Sequence, residues 1–237
     1  MQESLWRARE KWLIGVYVCA AILNLYAETT HWVWGIWISK PLLMIGLLIA
    51  WIGYPLPFTR FARLISIGFV FSLMGDVFLM LVFSNLHPPV PFFILGLASF
   101  LLTHVSYLSA FLHLAKGEKG WVQQKRYRAL PLIGLVGLLL WFIWPGLGTL
   151  QVPVFVYAMA IMSMAIGALN IRTLLPANTW QLLFGAVLFF VLSDGLIAIN
   201  KFRASLGDGQ LLIMLTYIIA QAGIFYAGIQ IRATKSL

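Results

Sequence analysis

Four ionisable side chains lie inside long apolar runs of this sequence: Lys40, Asp76, His104 and Asp194. Near the centre of a bilayer such a group costs about 2.5–3.5 kcal/mol on insertion scales, so each needs a partner or a task. Two carboxyls in a dry pocket can divide labour, one held protonated by desolvation and the other ionised beside a cation. That pair is equipped for general acid–base chemistry without a metal or a covalent nucleophile. Other chemistries lack their parts. The sequence has no nucleophile elbow, no His-Glu-x-x-His and no Gly-rich phosphate loop. Its scattered histidines and single cysteine, Cys19, predict neither a zinc site nor a disulfide framework.

Each charge has polar neighbours at helical spacing. Ser72 and Asp76 are four apart and share a face; Asp194 and Lys201, seven apart, do the same, with Ser193 beside the acid. Gly96, Ser99, Thr103 and Tyr107 form a stripe flanked by His104, and Gln210, Tyr217 and Gln221 repeat the device. Tyr157 enters from a further segment. Lys40 precedes Pro41, whose missing amide can kink a helix. Plain structural roles compete at every position. Either aspartate could form an ion pair with Lys40 or Lys201, and His104 could be a hydrogen-bonded interhelical contact. Ser72, Ser99, Thr103 and Tyr107 suit packing between membrane helices, and Gly75, Gly96 and Gly185 are expected to permit close helix approach.

The elements that must position these groups follow from composition. Of 237 residues, 62% are hydrophobic and 10% charged, which excludes a soluble globular enzyme, a disordered tail and a coiled coil. Eight apolar segments are expected: Trp12–Tyr26, Trp32–Ile52, Leu64–Ser84, Val90–Leu114, Leu130–Trp144, Val152–Asn170, Trp180–Asn200 and Gly209–Ile231. Tyr54-Pro55-Leu56-Pro57, His87-Pro88-Pro89, Pro145-Gly146 and Leu175-Pro176-Ala177-Asn178 break the pattern between them. The reading is therefore an all-α, polytopic membrane helix bundle in which residues 1–237 form one integral membrane domain. No small-residue cleavage site follows Trp12–Tyr26, so no cleavable signal peptide is expected.

Basic residues give the direction. Arg7, Arg9, Lys11, Arg60, Arg63, Lys116, Lys119, Lys125, Arg126, Arg128, Arg172, Arg232 and Lys235, thirteen of sixteen, fall on one set of alternate connections and on both termini. Lys201 and Arg203 fall on the other side, and Lys40 inside a segment. Both termini are thus expected to be cytoplasmic. The net charge of +9 records this orientation rather than nucleic-acid binding. Trp32, Trp34, Trp37 and Trp144 fit an interfacial belt, and the Lys116–Arg128 cluster is expected to meet anionic lipid heads. Counted from the outer ends at about 1.5 Å per residue, Lys40, Asp76 and Asp194 lie roughly 9–12 Å deep and His104 roughly 20 Å. A common polar pocket opening outward is the expectation.

Two decapeptides echo one another, FSLMGDVFLM (71–80) and FFVLSDGLIA (189–198), with the acids in register. A duplicated four-helix unit would bring the two acids together about an axis along the membrane normal.

At these residues the chain resembles the YhhN-like lysoplasmalogenases, small eight-span membrane proteins of bacteria and animals. The matching pieces are Lys40-Pro41-Leu42, FSLMGDVFLM around Asp76, GLASFLLTHVSYLSAF (96–111) and Val154–Tyr157. They continue with GAVLFFVLSDGLIAINKF (185–202) and Tyr217-Ile218-Ile219-Ala220-Gln221. The most specific run is Phe-x-x-Ser-Asp-x-x-Ile-Ala-x-Asn-Lys-Phe, from Phe190 to Phe202. The resemblance implies hydrolysis of the vinyl ether bond of a lysophospholipid, lysoplasmalogen, to a fatty aldehyde and a glycerophospho-ethanolamine or -choline. It implies no metal or organic cofactor, and a bacterial inner membrane as the setting.

Enol ethers hydrolyse by protonation of the β-carbon, giving an oxocarbenium ion that water captures. The reaction needs a proton donor to carbon, an anion to stabilise the cation, and a base for water. On this reading Asp194 is the acid and Asp76 the base and stabiliser. Lys40 and Lys201 hold the carboxylate or the lipid phosphate. Ser99, His104, Tyr157, Asn200, Tyr217 and Gln221 are the further candidate contacts to water or substrate. Two other functions fit the same segments: a proton-coupled transporter with the aspartates as relay, and a non-catalytic lipid-binding scaffold that would tolerate Asp→Asn changes at both acids.

Overall fold

A chain with so few charges must satisfy its backbone within its own helices if it enters lipid. The computed structural model describes residues 2–82, 89–207 and 209–235, all as helices and short connections. The helices are α1 (Gln2–Thr29), α2 (Val33–Gly53), α3 (Arg60–Val82), α4 (Pro89–Leu114), a single turn α5 (Trp121–Gln124), α6 (Leu130–Ile143), α7 (Gln151–Asn170), α8 (Ala177–Phe202) and α9 (Gly209–Lys235). Among the described residues, seven helical stretches are long and apolar enough to cross a membrane, and α1 contributes a shorter apolar stretch, Ile14–Thr29. The chain is an integral membrane protein. Ser84 and the His87-Pro88 turn lie outside the described residues. Tyr54-Pro55-Leu56-Pro57 and Pro145-Gly146 fall in connections, Leu175-Pro176 leads into α8, which begins at Ala177, and α2 runs unbroken through Pro41.

Contacts sort the connections into two ends. At one end the Arg232 guanidinium donates to the carbonyls of Trp51 (2.9 Å) and Leu56 (2.7 Å), joining the end of α9 to the α2–α3 connection. Thr179 at the start of α8 bonds Gln230 of α9 at 2.7 Å. The α4–α6 connection joins them through Asn170, whose Oδ1 accepts from the amides of Val122 and Gln123. At the opposite end Phe93 of α4 packs edge-on against Phe202 of α8, 5.9 Å between centroids. Gly146 there lies so close to the Phe202 carbonyl that a Cβ would overlap it.

The core is built from α3, α4, α8 and α9 together with α2 and α7, which contribute buried residues such as Trp51 and Met164. A Cβ at Gly75 would meet the Phe100 ring at 2.6 Å, and one at Gly96 would meet Leu79 at 2.7 Å. Both glycines therefore set the α3–α4 distance, as small residues do in membrane bundles. Gly185 corrects the expectation: nothing lies within 4 Å of its Cβ position, so it brings no helix close. Helix α6 is peripheral, with Trp141 exposed by 74% and Leu138 by 63% on its outer face. Its 14 helical residues are lengthened by 3-10 turns at both ends.

Candidate functional site

Helix α3 presents Asp76 and Ser72 on one face, and that face meets α4 and α9. Asp76 is 2% exposed, and its Oδ2 accepts a hydrogen bond from the Tyr217 hydroxyl at 2.7 Å. One turn further in, Gln221 Nε2 donates to Ser72 Oγ at 2.9 Å, and Tyr107 donates to Gln221 Oε1 at 3.0 Å. Thr103 lies 3.2 Å from the same serine. This buried layer clamps α3, α4 and α9, each bond worth roughly 0.6 kcal/mol in a membrane bundle. Its work is to hold the turn above it, where Asp76 and Tyr217 meet.

Asp194 of α8 is held from two other helices. Its Oδ2 accepts from the Tyr157 hydroxyl of α7 at 2.5 Å and lies 2.9 Å from His104 Nε2 of α4. The two donors are 2.9 Å apart. Nε2 is the imidazole nitrogen that faces the carboxyl, and Nδ1 is buried with no hydrogen-bond partner among the described residues. The expected alternative of a lysine partner is corrected: among the described residues neither Lys40 nor Lys201 comes within 4 Å of either aspartate, and the ionisable partner of Asp194 is His104.

Both aspartates line one cavity of about 250 Å³. Lys40 enters it from α2, Phe93 and Phe100 from α4, Asn200 and Lys201 from α8, and Gln210 and Tyr217 from α9. Lys40 is 5% exposed and has no ion-pair partner within 4 Å among the described residues. Lys201 is exposed, with its ammonium 5.2 Å from the centre of the Phe93 ring. A second pocket of about 70 Å³ has almost wholly apolar walls, supplied by α3, α4, α6, α7 and α8. The two spaces share Asp194, Leu79, Phe93, Phe100 and Ile197. A polar chamber and an apolar slot therefore meet at one carboxyl.

The residues singled out in the sequence separate into three sets. Asp76, Asp194, Lys40, Asn200, Lys201 and Tyr217 line the polar cavity. Tyr157 lines the apolar pocket and grips Asp194. His104, Gln221 and Ser99 stand behind these walls: His104 on Asp194, Gln221 in the clamp, and Ser99 bonded to the Leu95 carbonyl of its own helix. Asn200 also accepts the Leu206 amide, which fixes the exit from α8. Sequence reasoning missed Phe100. It packs edge-on against Tyr217 and Phe190 and forms the partition between the two spaces. The available signal was its place midway between Gly96 and His104, four residues from each. Among the described residues no three His, Cys, Asp or Glu come together in a metal-binding group.

The YhhN family model matches residues 35–228, which contain every cavity residue named above. Lysoplasmalogenase TMEM86A of Homo sapiens is 30% identical over 179 residues, covering 72% of this chain and 67% of the human protein. A lysoplasmalogenase of Mycobacterium bovis is 36% identical over 138 residues, covering 56% of this chain and 48% of its own length. The chain thus spans about half the length of that mycobacterial relative. No solved structure matches.

Proposed function

The chain belongs to the YhhN family, and we propose from that premise that it is an ether hydrolase acting on the vinyl ether bond of lysoplasmalogen. The observation that carries the reading is the junction at Asp194. A lysoplasmalogen has a polar glycerophospho head and a long alkenyl chain, and the bond to be cut lies between them. The polar residues of the cavity suit the head, and the apolar walls of the second pocket suit the first carbons of the chain beside that bond.

In this mechanism Asp194 gives its proton to the β-carbon of the enol ether, leaving an oxocarbenium ion. Both hydrogen bonds to Asp194 fall on Oδ2, so Oδ1 is the oxygen left to carry that proton. Asp76, as carboxylate, stabilises the cation and takes a proton as water adds to it. The resulting hemiacetal collapses: Asp76 returns its proton to the departing glycerol oxygen, and the hemiacetal hydroxyl proton restores Asp194. The balance is one water consumed, one aldehyde and one glycerophosphodiester released. Tyr157 and His104 orient the acid, Tyr217 orients the base, and Lys40 and Lys201 receive the phosphate.

The same reading includes eight crossings with both termini on the cytoplasmic side. It is supported by the gathering of the α2–α3, α4–α6 and α7–α8 connections at the end where α9 finishes, since these are the connections rich in Lys and Arg. The deciding experiment is aldehyde release from lysoplasmalogen by the purified protein and its Asp76→Asn and Asp194→Asn variants. Asparagine keeps the shape but supplies neither a carboxylic proton nor a negative charge. Each change should cost about 10²–10⁴-fold. Loss of less than about tenfold at both positions rejects the mechanism.

A further inference from the structure

The end of the bundle away from the cavity holds a second constellation that catalysis does not use. Arg172, in the α7–α8 connection, is exposed, and its guanidinium carbon lies 4.7 Å from the centre of the Trp121 ring and 4.9 Å from that of Trp180. Arg128 stands 4.2 Å from the same Trp121 ring and donates to the Trp121 carbonyl at 2.7 Å. The rings are themselves fixed. Trp180 stacks on Phe184 at 11° and donates to the Ala168 carbonyl at 3.1 Å, while Asn170 pins the amides that follow Trp121.

Arg232 shows what a structural arginine looks like at this end of the fold. It is buried, and its nitrogens donate to two backbone carbonyls. Arg172 differs on both counts. Among the described residues no acceptor bonds its guanidinium and no acid lies within 4 Å. Two aromatic rings hold it, and its N–H donors have no protein acceptor among the described residues. A planar fork of that kind matches a phosphodiester, which accepts two parallel bonds. Lys116, Lys119, Lys125 and Arg126 are exposed on the neighbouring connection, where Glu118 is the one acid between residues 115 and 129. Tyr127 and Leu130, each 61% exposed, place this segment where head groups meet hydrocarbon.

We propose that Arg172, held between Trp121 and Trp180, binds the phosphodiester of an anionic phospholipid in the adjacent leaflet, with Arg128 and the exposed basic residues beside it selecting negative lipid. The test uses the full-length protein in detergent, titrated with phosphatidylglycerol or phosphatidylcholine, and native mass spectrometry counts bound lipid. Phosphatidylglycerol should bind the wild type more tightly than phosphatidylcholine. Arg172→Gln should weaken phosphatidylcholine binding, because that lipid carries the same phosphodiester, and should weaken phosphatidylglycerol binding by about fivefold, the effect of roughly one basic residue at an anionic surface. Arg126→Gln, at an exposed residue for which no ring contact is seen, should weaken it in the same direction without disturbing the stack. Equal binding of the two lipids, or unchanged phosphatidylglycerol affinity in the variants, overturns the proposal. So does displacement of the lipid by an equal concentration of inorganic phosphate, which would mark a free-anion site. Aldehyde release is not the readout, so the result stands whether or not the hydrolase reading survives.

Discussion

Each aspartate of the cavity is met by a tyrosine hydroxyl, but the two settings are not equivalent. Asp76 takes one bond, from Tyr217, inside a clamp of neutral hydroxyls and an amide. Asp194 takes two donors on a single oxygen, from Tyr157 and His104. The two tyrosines can therefore be separated by experiment. Tyr157→Phe keeps the ring against His104, 5.2 Å between centroids, and removes only the hydroxyl. A lost hydrogen bond of about 1.5 kcal/mol corresponds to roughly a tenfold fall in kcat. KM for lysoplasmalogen should hardly move, because the hydroxyl acts on the acid and not on the bound head. A raised KM with unchanged kcat would instead make Tyr157 a substrate contact. Lys40→Met predicts the opposite split: KM rises while kcat stays within a few fold, if its ammonium receives the phosphate. The charges were legible in the sequence because a charged group inside an apolar run stands out singly. The place of His104 behind Asp194 was not, because helical spacing gives a face but not which neighbouring helix that face meets.

At the scale of helices, the glycines of α3 and α4 act on the site indirectly. Gly75 precedes Asp76, and the Phe100 ring that fills the space above it is the partition between the polar and apolar spaces. Gly75→Ala must push that ring aside, at about 1–3 kcal/mol for an overpacked core. Thermal unfolding in detergent should show the loss, and Gly185→Ala, with open space at its Cβ position, should show none. The apolar slot gives a second test. Ala198 lines it beyond Asp194, so Ala198→Phe should cut hydrolysis of long-chain substrate more than that of a short-chain analogue. An equal loss on both would argue that the chain lies elsewhere. Seven of the expected segments correspond to long apolar helices within a few residues, since hydropathy over twenty residues is a strong signal. The single turn α5 and the 3-10 turns around α6 were not visible. They follow from bonds made across the fold, such as Asn170 to the amides of Val122 and Gln123, which no local pattern encodes.

For the whole molecule, the arrangement of charge and cavity decides which leaflet supplies the substrate. On the proposed topology, thirteen of sixteen basic residues fall on the termini and on the connections at one end. Lys40, Asn200, Lys201 and Gln210 line the cavity toward the other end, where α8 finishes and α9 begins. A positive-inside orientation then faces the cavity outward. The sequence permits a direct test because its one cysteine, Cys19, can be replaced by serine, giving a cysteine-free background. Into it are placed single cysteines at Ala204, exposed just after α8, and at Glu118, exposed in the basic connection. A membrane-impermeant maleimide applied to intact cells should label Ala204→Cys and spare Glu118→Cys until the membrane is permeabilised. The reverse pattern would turn the cavity toward the cytoplasm and make the inner leaflet the source of substrate. Labelling of both from outside would place the basic connection on the same side as the cavity and remove the eight-crossing arrangement altogether. Only the first outcome fits an enzyme that draws its lysophospholipid from the outer leaflet, because the polar head would otherwise have to cross the hydrophobic thickness before reaching Lys40 and Lys201.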